Sequence, residues 1–287
     1  MCDSDNNQGF VDTSFTRRSV VLTLTSVAAA AGLPSAALAS NVAEADVMVP
    51  TPDGSADAAL FHPAGAGTWP AVLMWPDILG LRPVFRDMGR RLAAEGYVVL
   101  VPNPFYRTRR APIATGPFDF NDPKQVQPLL ALKATLTDAA IDRDATAFIS
   151  FLDAQKQTNR SKAAGVQGYC FSGPFAFHTG AARSDRIRAV ATFHGGGLVT
   201  KDPNSPHLLI PRTKASFVVA IARNDDQKQP EARDVLKAAF AAAKRPAVVE
   251  VYPADHGWCV PGSQPYNQPS AERAWAELLR LYRANLV

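Results

Sequence analysis

Cysteine is scarce in this sequence, and neither sign of charge is in large excess. The 287 residues include three cysteines, too few for a fold held together by several disulfide bonds. Lysine and arginine number 30 against 26 aspartates and glutamates, which gives a formal net charge of +4. Because the basic residues are scattered among acidic ones, the sequence does not indicate a surface that binds nucleic acid.

Motifs for cofactors and metals are also missing. The sequence contains no glycine-rich loop for a dinucleotide or a phosphate, and no close group of His, Cys and Asp residues with the spacing of metal ligands. We therefore expect a function that needs neither a cofactor nor a metal ion. After the first forty residues no run of about 18 apolar residues occurs, so no membrane span is expected in the rest of the chain.

Residues 1–39 have the features of a bacterial export signal. The pair Arg17–Arg18 precedes a weakly apolar run, and Ala37–Ala39 forms a small-x-small cleavage pattern. Both are typical of twin-arginine signals. A helix anchored in the core is the alternative, and Pro34 argues against it because it breaks the run. We expect export by the twin-arginine machinery to the periplasm or the medium, with 40–287 as a single domain.

Two cysteines remain if the signal and Cys2 are removed. In an oxidising compartment, Cys170 and Cys259 are able to form a structural disulfide. The sequence around Cys170 favours a free thiol instead. We expect Cys259 to pack as a reduced core residue.

From residue 43 onward, strand-like apolar runs alternate with helical stretches, which predicts an α/β fold with a mostly parallel sheet covered on both faces. An irregular stretch lies between 106 and 129, and long loops of this kind are often functional. The predicted strands are 47–52 and 57–62, joined as a hairpin at Asp53-Gly54, then 71–75, 97–101, 164–169, 189–193, 216–222 and 247–252. The predicted helices include 84–95, about 130–155, and 270–285.

Residues 165–177 read GVQGYCFSGPFAF and place Cys170 between a strand and a helix. This is the pattern of a nucleophile elbow, in which the central residue has a strained backbone and its neighbours two positions away must be small. Gly168 and Ser172 meet that requirement. The helix would direct its first N–H groups toward the sulfur, which favours the thiolate. Ser172 is the rival nucleophile, but a turn centred on it would need a small residue at Pro174.

The residues expected to serve this thiol follow in the chain order nucleophile, acid, base. Asp225 comes just after the strand 216–222, with Asp226 as the alternative, and His256 follows the last strand. Each has an ordinary explanation, since aspartates are common in turns and loop histidines are commonly solvated. Their joint placement favours a triad with Cys170. Chain order disfavours three other histidines: His178, His194 and His207.

Four segments together resemble the dienelactone hydrolase family over about residues 47–286: WPDILG at 75–80, PNPFYR at 102–107, GYC at 168–170 and DHG at 255–257. The resemblance implies a minimal α/β-hydrolase fold without a large lid. It also implies a Cys-His-Asp triad that opens cyclic enol lactones such as dienelactone, giving maleylacetate. Cys170, His256 and Asp225 take the triad positions.

The resemblance implies further site residues. Backbone N–H groups of Phe171 and Ile78 would form the oxyanion hole. Asp77 stands where the family usually has a glutamate that interacts with the resting thiol, and Arg107 matches an arginine that meets a substrate carboxylate. From the residues alone, Asp77 is equally explained as a helix-capping acid and Arg107 as a surface arginine.

The expected function is hydrolysis of an ester or a lactone through a thioester on Cys170. The alternatives are a general carboxylesterase or thioesterase, and a non-catalytic exported protein that binds a ligand in the same pocket. Members of the family are usually intracellular, so an export signal leaves the natural substrate open.

Overall fold

The strands of the protein lie side by side in one mixed sheet. The computed structural model describes residues 41–116 and 118–286. In chain order the strands are β1 (Val42–Thr51), β2 (Gly54–Pro63), β3 (Ala71–Trp75), β4 (Val98–Pro102), β5 (Ala164–Tyr169), β6 (Ile187–Phe193), β7 (Ser216–Ala222) and β8 (Ala247–Tyr252). Their order across the sheet is β1-β2-β4-β3-β5-β6-β7-β8.

Helices connect most of these strands. They are α1 (Pro83–Ala94), α2 (Pro123–Ala134), α3 (Asp138–Asp153), α4 (Gly173–Ala182), α5 (Pro206–Leu209), α6 (Arg223–Lys228), α7 (Glu231–Ala242) and α8 (Gln268–Asn285), with short 3₁₀ turns at Cys170–Ser172 and Ile210–Arg212. The α/β class predicted from the sequence is confirmed.

The first two strands form the antiparallel hairpin expected from the pair Asp53-Gly54. Thr51 lies opposite Gly54 across the turn, and the φ of Gly54 is 134°, a conformation that favours glycine. β2 also runs antiparallel to β4. The remaining neighbouring strands in the sheet are parallel. The hairpin therefore adds an antiparallel edge to a parallel sheet.

The central strands are buried on both faces. Every residue of β3, β4 and β5 is buried, as expected for parallel strands covered by helices on both sides. Successive side chains enter different apolar layers, so that Leu73 packs in one layer and Met74 in the other. Fully burying a side chain of this size contributes about 1.5–3 kcal/mol relative to exposing it. The strands that carry the site are therefore rigidly held.

The prediction of one long helix over about 130–155 is wrong, because the structure has two helices there. α2 ends at Ala134 and α3 begins at Asp138. The side chain of Thr137 accepts the N–H of Ala140 at 3.2 Å and so caps the start of α3. The hydroxyl of Thr135 donates to the carbonyl oxygen of Leu132 and closes the end of α2. The hydrogen bonds of Thr135 and Thr137 therefore separate two helices that hydrophobic periodicity predicted as one.

The carboxyl ends of the parallel strands bring the polar residues of interest to one edge of the sheet. Asp77 follows β3, Cys170 follows β5, His194 follows β6, Asp225 follows β7 and His256 follows β8. Parallel strands end at the same edge, so residues that are far apart in the chain lie in one region. In open α/β sheets this edge is the usual place for a ligand.

The expected export signal lies outside the described residues, as does Cys2. The role of Arg17–Arg18 therefore stays a prediction from the sequence. Among helices of the described part of the chain, none combines the length and the apolar character needed to cross a membrane.

Candidate active site

Cys170 sits at a sharp turn between β5 and α4. Its φ is 58°, in the left-handed region that a non-glycine residue enters only at a cost. A Cβ added to Gly168 would lie 2.2 Å from the carbonyl oxygen of Ser172. The turn thus requires glycine at 168, as a nucleophile elbow predicts.

Ser172 holds this turn in place and does not face a ligand. The residue is fully buried. Its hydroxyl accepts the N–H of Tyr169 at 2.9 Å and lies 2.9 Å and 3.1 Å from the carbonyl oxygens of Tyr169 and Trp75. Because these contacts use the hydroxyl and join the end of β3 to the elbow, Ser172 is a structural residue in this arrangement.

Cys170, His256 and Asp225 lie in one continuous series of contacts. Nε2 of His256 is 3.1 Å from Sγ of Cys170, and the Nδ1–H of the same ring donates to Oδ2 of Asp225 at 2.6 Å. The backbone N–H of His256 donates to the side chain of Asn224 at 2.9 Å, which fixes the loop after β8 against α6. The arrangement places a sulfur, an imidazole and an orienting carboxylate in the order that acyl transfer requires.

Asp225, and not Asp226, contacts the imidazole. Asp225 lies in α6, a short helix where the sequence predicted a loop. Asp226 is the next residue and points elsewhere: one of its oxygens lies 3.4 Å from Arg233. The alternative left open by the sequence is therefore decided by side-chain direction, which differs by about 100° between successive helical residues.

The surroundings of His256 favour its charged form. Burial opposes the imidazolium, but the hydrogen bonds to Asp225 and Cys170 outweigh it and raise the pKa of His256 to about 10. At neutral pH the ring therefore carries both protons. The Nε2–H then points to the sulfur of Cys170, 3.1 Å away.

Asp77 has a different contact from the one implied by the resemblance. Its carboxylate forms an ion pair with Arg82, at 2.8 Å for one of the two hydrogen bonds, and accepts the N–H of Leu79 at 3.0 Å. The backbone N–H of Gly80 donates to the carbonyl oxygen of Asp77 at 2.8 Å. These contacts shape the turn that carries Ile78, and the expected interaction of Asp77 with the resting thiol stays a prediction.

Phe171 and Ile78 both line the cavity beside Cys170. Phe171 is in the first turn after the elbow, where backbone N–H groups have no partner within the helix. Ile78 takes no part in the two hydrogen bonds that Leu79 and Gly80 donate within the turn. These placements suit the oxyanion hole expected from the sequence, which stays a prediction.

Arg107 is engaged by two carboxylates, and its expected contact with a substrate stays a prediction. Its guanidinium pairs with Asp144 at 2.7 Å and with Asp53 at 2.6 Å. The side chain of Asp144 is 2% exposed, so Arg107 compensates a buried carboxylate. Among the described residues, those that line the cavity do not include Arg107.

His194 is the residue of the site that the sequence reasoning missed. It follows β6 with a φ of 41°, and its ring lies 4.7 Å from the ring of His256. Burial, and then the nearby His256, hold the pKa of His194 well below its usual value, so the ring is neutral. Chain order spoke against it because His194 precedes the acid. Its position directly after a strand neighbouring β5 was the available signal.

The thiol opens into a large cavity. Its volume is about 1340 Å³, and Cys170, His194 and His256 all line it. The irregular segment before α2 contributes part of the wall, as its length and lack of periodicity suggested. Aromatic side chains form much of the apolar surface: Phe118, Phe120, Phe171 and Phe175.

Charged side chains on the cavity wall are mostly acidic. Histidines aside, four carboxylates and two basic groups line it. One of the basic groups, Arg82, is already paired with Asp77. The six residues are Asp77, Asp119, Asp138, Asp202, Arg82 and Lys133.

Cys259 is buried, and the described structure shows no disulfide between it and Cys170. In the described part of the chain, Cys170 and Cys259 are both free. Burial raises the pKa of the Cys259 thiol well above its usual value, so this cysteine stays protonated. The expectation that Cys259 packs in the core is confirmed, and its reduced state stays a prediction.

Sequence comparison settles the family. The sequence model of the dienelactone hydrolase family matches residues 56–286. The chain belongs to this family. A carboxymethylenebutenolidase of Rhodococcus opacus is 26% identical over 225 residues, which cover 77% of this chain and 83% of that protein. A candidate carboxymethylenebutenolidase of Synechocystis is 27% identical over 232 residues, covering 79% and 91%.

Structural comparison gives the same fold. The crystal structure of a candidate dienelactone hydrolase from Klebsiella pneumoniae superimposes with a TM-score of 0.73 at 22% identity, covering 84% of this chain and 98% of that one. The architecture is the α/β-hydrolase fold of dienelactone hydrolases, without a large lid. Membership in the family makes the protein a hydrolase of ester or lactone bonds.

Proposed function

We propose that this dienelactone hydrolase homologue cleaves its substrate through a thioester on Cys170. The observation that carries the proposal is the unbroken series of contacts from Sγ of Cys170 through the ring of His256 to Asp225. A strained turn presents the sulfur, and an imidazole with a raised pKa holds the proton that a leaving group needs.

In the proposed reaction the sulfur of Cys170 attacks the carbonyl carbon, and one electron pair of the C=O bond moves to oxygen. The resulting oxyanion accepts hydrogen bonds from the backbone N–H groups of Phe171 and Ile78. When the intermediate collapses, the Nε2–H of His256 protonates the leaving alkoxide. A thioester remains on Cys170, and His256 is neutral.

Water completes the proposed cycle. Neutral His256 takes a proton from water, and the hydroxide oxygen attacks the thioester carbonyl. The carboxylic acid leaves, and the sulfur recovers its electron pair beside the protonated imidazole. Asp225 keeps the ring in the orientation that both steps use, because it accepts the Nδ1–H throughout.

The cavity favours neutral, bulky esters over small acidic lactones as substrates. Its volume of about 1340 Å³ is larger than that of most ligand pockets, which occupy about 300–1,000 Å³. A substrate carboxylate would meet more acidic than basic side chains there, and Arg107 is engaged by Asp53 and Asp144. These observations favour the general carboxylesterase among the alternatives, while the family membership keeps lactones as candidates.

The test compares hydrolysis of dienelactone and of neutral p-nitrophenyl esters of increasing acyl length by the full chain. We expect turnover of both classes, with higher kcat/KM for the longer neutral esters. Cys170→Ala should lower kcat by at least about 10³-fold, whereas Cys259→Ala, the matched loss of a thiol, should leave kcat nearly unchanged. Full activity of Cys170→Ala contradicts the mechanism. No turnover by the unmodified protein favours a ligand-binding role.

We also propose that residues 1–39 direct export through the twin-arginine machinery. The paired arginines and the Ala37–Ala39 cleavage pattern support this export route. Cell fractionation tests it: the double variant Arg17→Lys, Arg18→Lys should stay in the cytoplasm, and an unchanged distribution would contradict export by this route.

A further inference from the structure

The proposed mechanism leaves a second histidine beside the sulfur without a role. His194 is 1% exposed, and within the described structure neither of its ring nitrogens has a hydrogen-bond partner. Buried polar atoms are normally paired, because an unpaired one costs about 1–3 kcal/mol. A buried, unpaired imidazole on a cavity wall next to a thiol has a free electron pair that is able to bind a metal cation.

Three atoms of the kind that bind metals lie close together beside the thiol. One ligand-type atom from each of Cys170, His194 and His256 lies within 4.8 Å of the other two. With Zn–S near 2.3 Å and Zn–N near 2.0–2.1 Å, tetrahedral ligands lie about 3.3–3.6 Å apart. Sγ of Cys170 and Nε2 of His256 are 3.1 Å apart. The Cys170–His256 distance is thus close to that of two ligands of one cation, and the ligand atom of His194 lies within 4.8 Å of both.

We propose that Cys170, His194 and His256 form a binding site for a borderline or soft divalent cation, with Zn²⁺ as the best match. A thiolate and two imidazoles are ligands that Zn²⁺ favours, whereas Mg²⁺ and Ca²⁺ favour oxygen. All three residues line the cavity, so water from the cavity would supply the fourth ligand of a tetrahedral site. The three positions are far apart in the sequence, which is why ligand spacing did not reveal them.

One of the three ligands, His256, already has the outer partner of a metal-bound histidine. The Nδ1–H of His256 donates to Asp225, the carboxylate–histidine pair that commonly supports zinc. The ring of His194 packs edge-on against Trp258, with centroids 5.3 Å apart, and its backbone N–H donates to the carbonyl oxygen of Ala220 at 2.8 Å. Two ligands are therefore held in place before a cation arrives.

Cation binding and hydrolysis exclude each other. Zn²⁺ replaces the hydrogen bond between His256 and Cys170 with a Zn–N and a Zn–S bond, and the Nε2 proton passes to solvent. The sulfur electron pair that would attack a carbonyl is then bound to the cation. Inhibition by Zn²⁺, reversed by a chelator, follows only if the proposed function holds, whereas binding of the cation does not depend on it.

Direct binding to the full chain tests the site. Calorimetric titration with Zn²⁺ should show one equivalent bound, and Co²⁺ should give a thiolate-to-cobalt charge-transfer band that is absent in Cys170→Ala. His194→Asn should raise the Kd for Zn²⁺ by at least about 100-fold, since loss of an outer-layer partner alone costs about 10–100-fold. Asparagine suits the φ of 41° at this position but is too short to reach the cation.

His62→Asn is the matched control, because His62 lies on β2 and packs on Trp69 away from the cavity. Its Kd for Zn²⁺ should equal that of the unmodified protein. His194→Phe, which fills the ring volume, is the second variant, and thermal melting checks that both variants fold. A Kd unchanged in both folded His194 variants overturns the site, as does failure to bind one equivalent. One equivalent bound by a protein that hydrolyses no ester supports the site and overturns the proposed function.

Discussion

The protonation of His256 makes the stability of the site depend on pH. Asp225 and Cys170 each form a hydrogen bond to this ring, and the pKa of His256 rises from 6.5 to about 10. Because the folded-state pKa is higher than that of the unfolded chain, the bound proton stabilises the fold fully below about pH 6.5. That contribution is lost as the pH rises through about 10. The same proton is the one that the proposed mechanism gives to the leaving group.

Asp225→Asn should therefore change the alkaline behaviour of the protein. Without the carboxylate, the imidazolium loses its largest stabilising partner, so the alkaline limb of kcat/KM should move from about pH 10 toward the ordinary histidine pKa of about 6.5. The melting temperature of the variant should also fall less between pH 7 and pH 10. Profiles of kcat/KM and of melting against pH measure both effects. Asp226→Asn is the control, and an alkaline limb that stays at about pH 10 in Asp225→Asn would refute the assignment.

Single residues were predictable from the sequence where a strand end fixes their position. Cys170, His256 and Asp225 each follow a strand of the parallel part of the sheet, and the structure brings their side chains into contact. The contacts of Arg107 and His194 were not predictable, because they are made with residues that are distant in the chain. Only the folded structure shows that Asp144 is buried against Arg107, or that His194 reaches the ring of His256.

At the scale of elements, Arg107 joins three parts of the fold. It pairs with Asp53 in the β1–β2 turn and with Asp144 in α3, and its guanidinium lies 4.6 Å from the ring centre of Tyr106 in the segment after β4. Tyr106 donates a further hydrogen bond to Asp144 at 2.7 Å. These contacts fix the base of the segment that goes on to line the cavity, so Arg107 acts on the site through the fold.

Arg107→Met should lower the free energy of unfolding by about 3–5 kcal/mol, because it leaves the buried carboxylate of Asp144 without its cation. Urea denaturation measures the change. Arg110→Met is the matched control: its side chain is 60% exposed and lies 3.7 Å from Asp57, so its effect should stay within about 0.5 kcal/mol. The folded Arg107 variant should keep its KM for acidic lactones. A KM raised for these substrates alone would restore the substrate-binding role.

Strands rich in apolar residues were predictable, and helix ends were less so where capping decides. The bounds of β3, β5, β7 and β8 agree with the prediction, although β5 contains Gln167 and β8 contains Glu250. The division between α2 and α3 was missed because the apolar positions continue across it. The caps formed by Thr135 and Thr137 are local hydrogen bonds that hydrophobic periodicity does not register.

At the scale of the whole molecule, the charge of the cavity wall should select against acidic substrates. Asp138 and Asp202 both line the cavity, and neither is paired with a lysine or arginine among the ion pairs of the described residues. The double variant Asp138→Asn, Asp202→Asn should raise kcat/KM for an acidic lactone several-fold by removing repulsion. Turnover of a neutral ester should change little. Equal changes for both substrates would show that wall charge does not govern selection.

The left-handed backbone conformation at Cys170 lowers the stability of the fold relative to the same turn with glycine. A non-glycine residue at a φ of 58° costs about 1–2 kcal/mol, and glycine would remove that strain at the price of the thiol. Cys170→Gly should therefore melt a few degrees above Cys170→Ala, although both are inactive. A lower melting temperature for the glycine variant would show that the turn is relaxed. If the order holds, the strained turn is explained by the position that it gives to the sulfur and not by a gain in backbone stability.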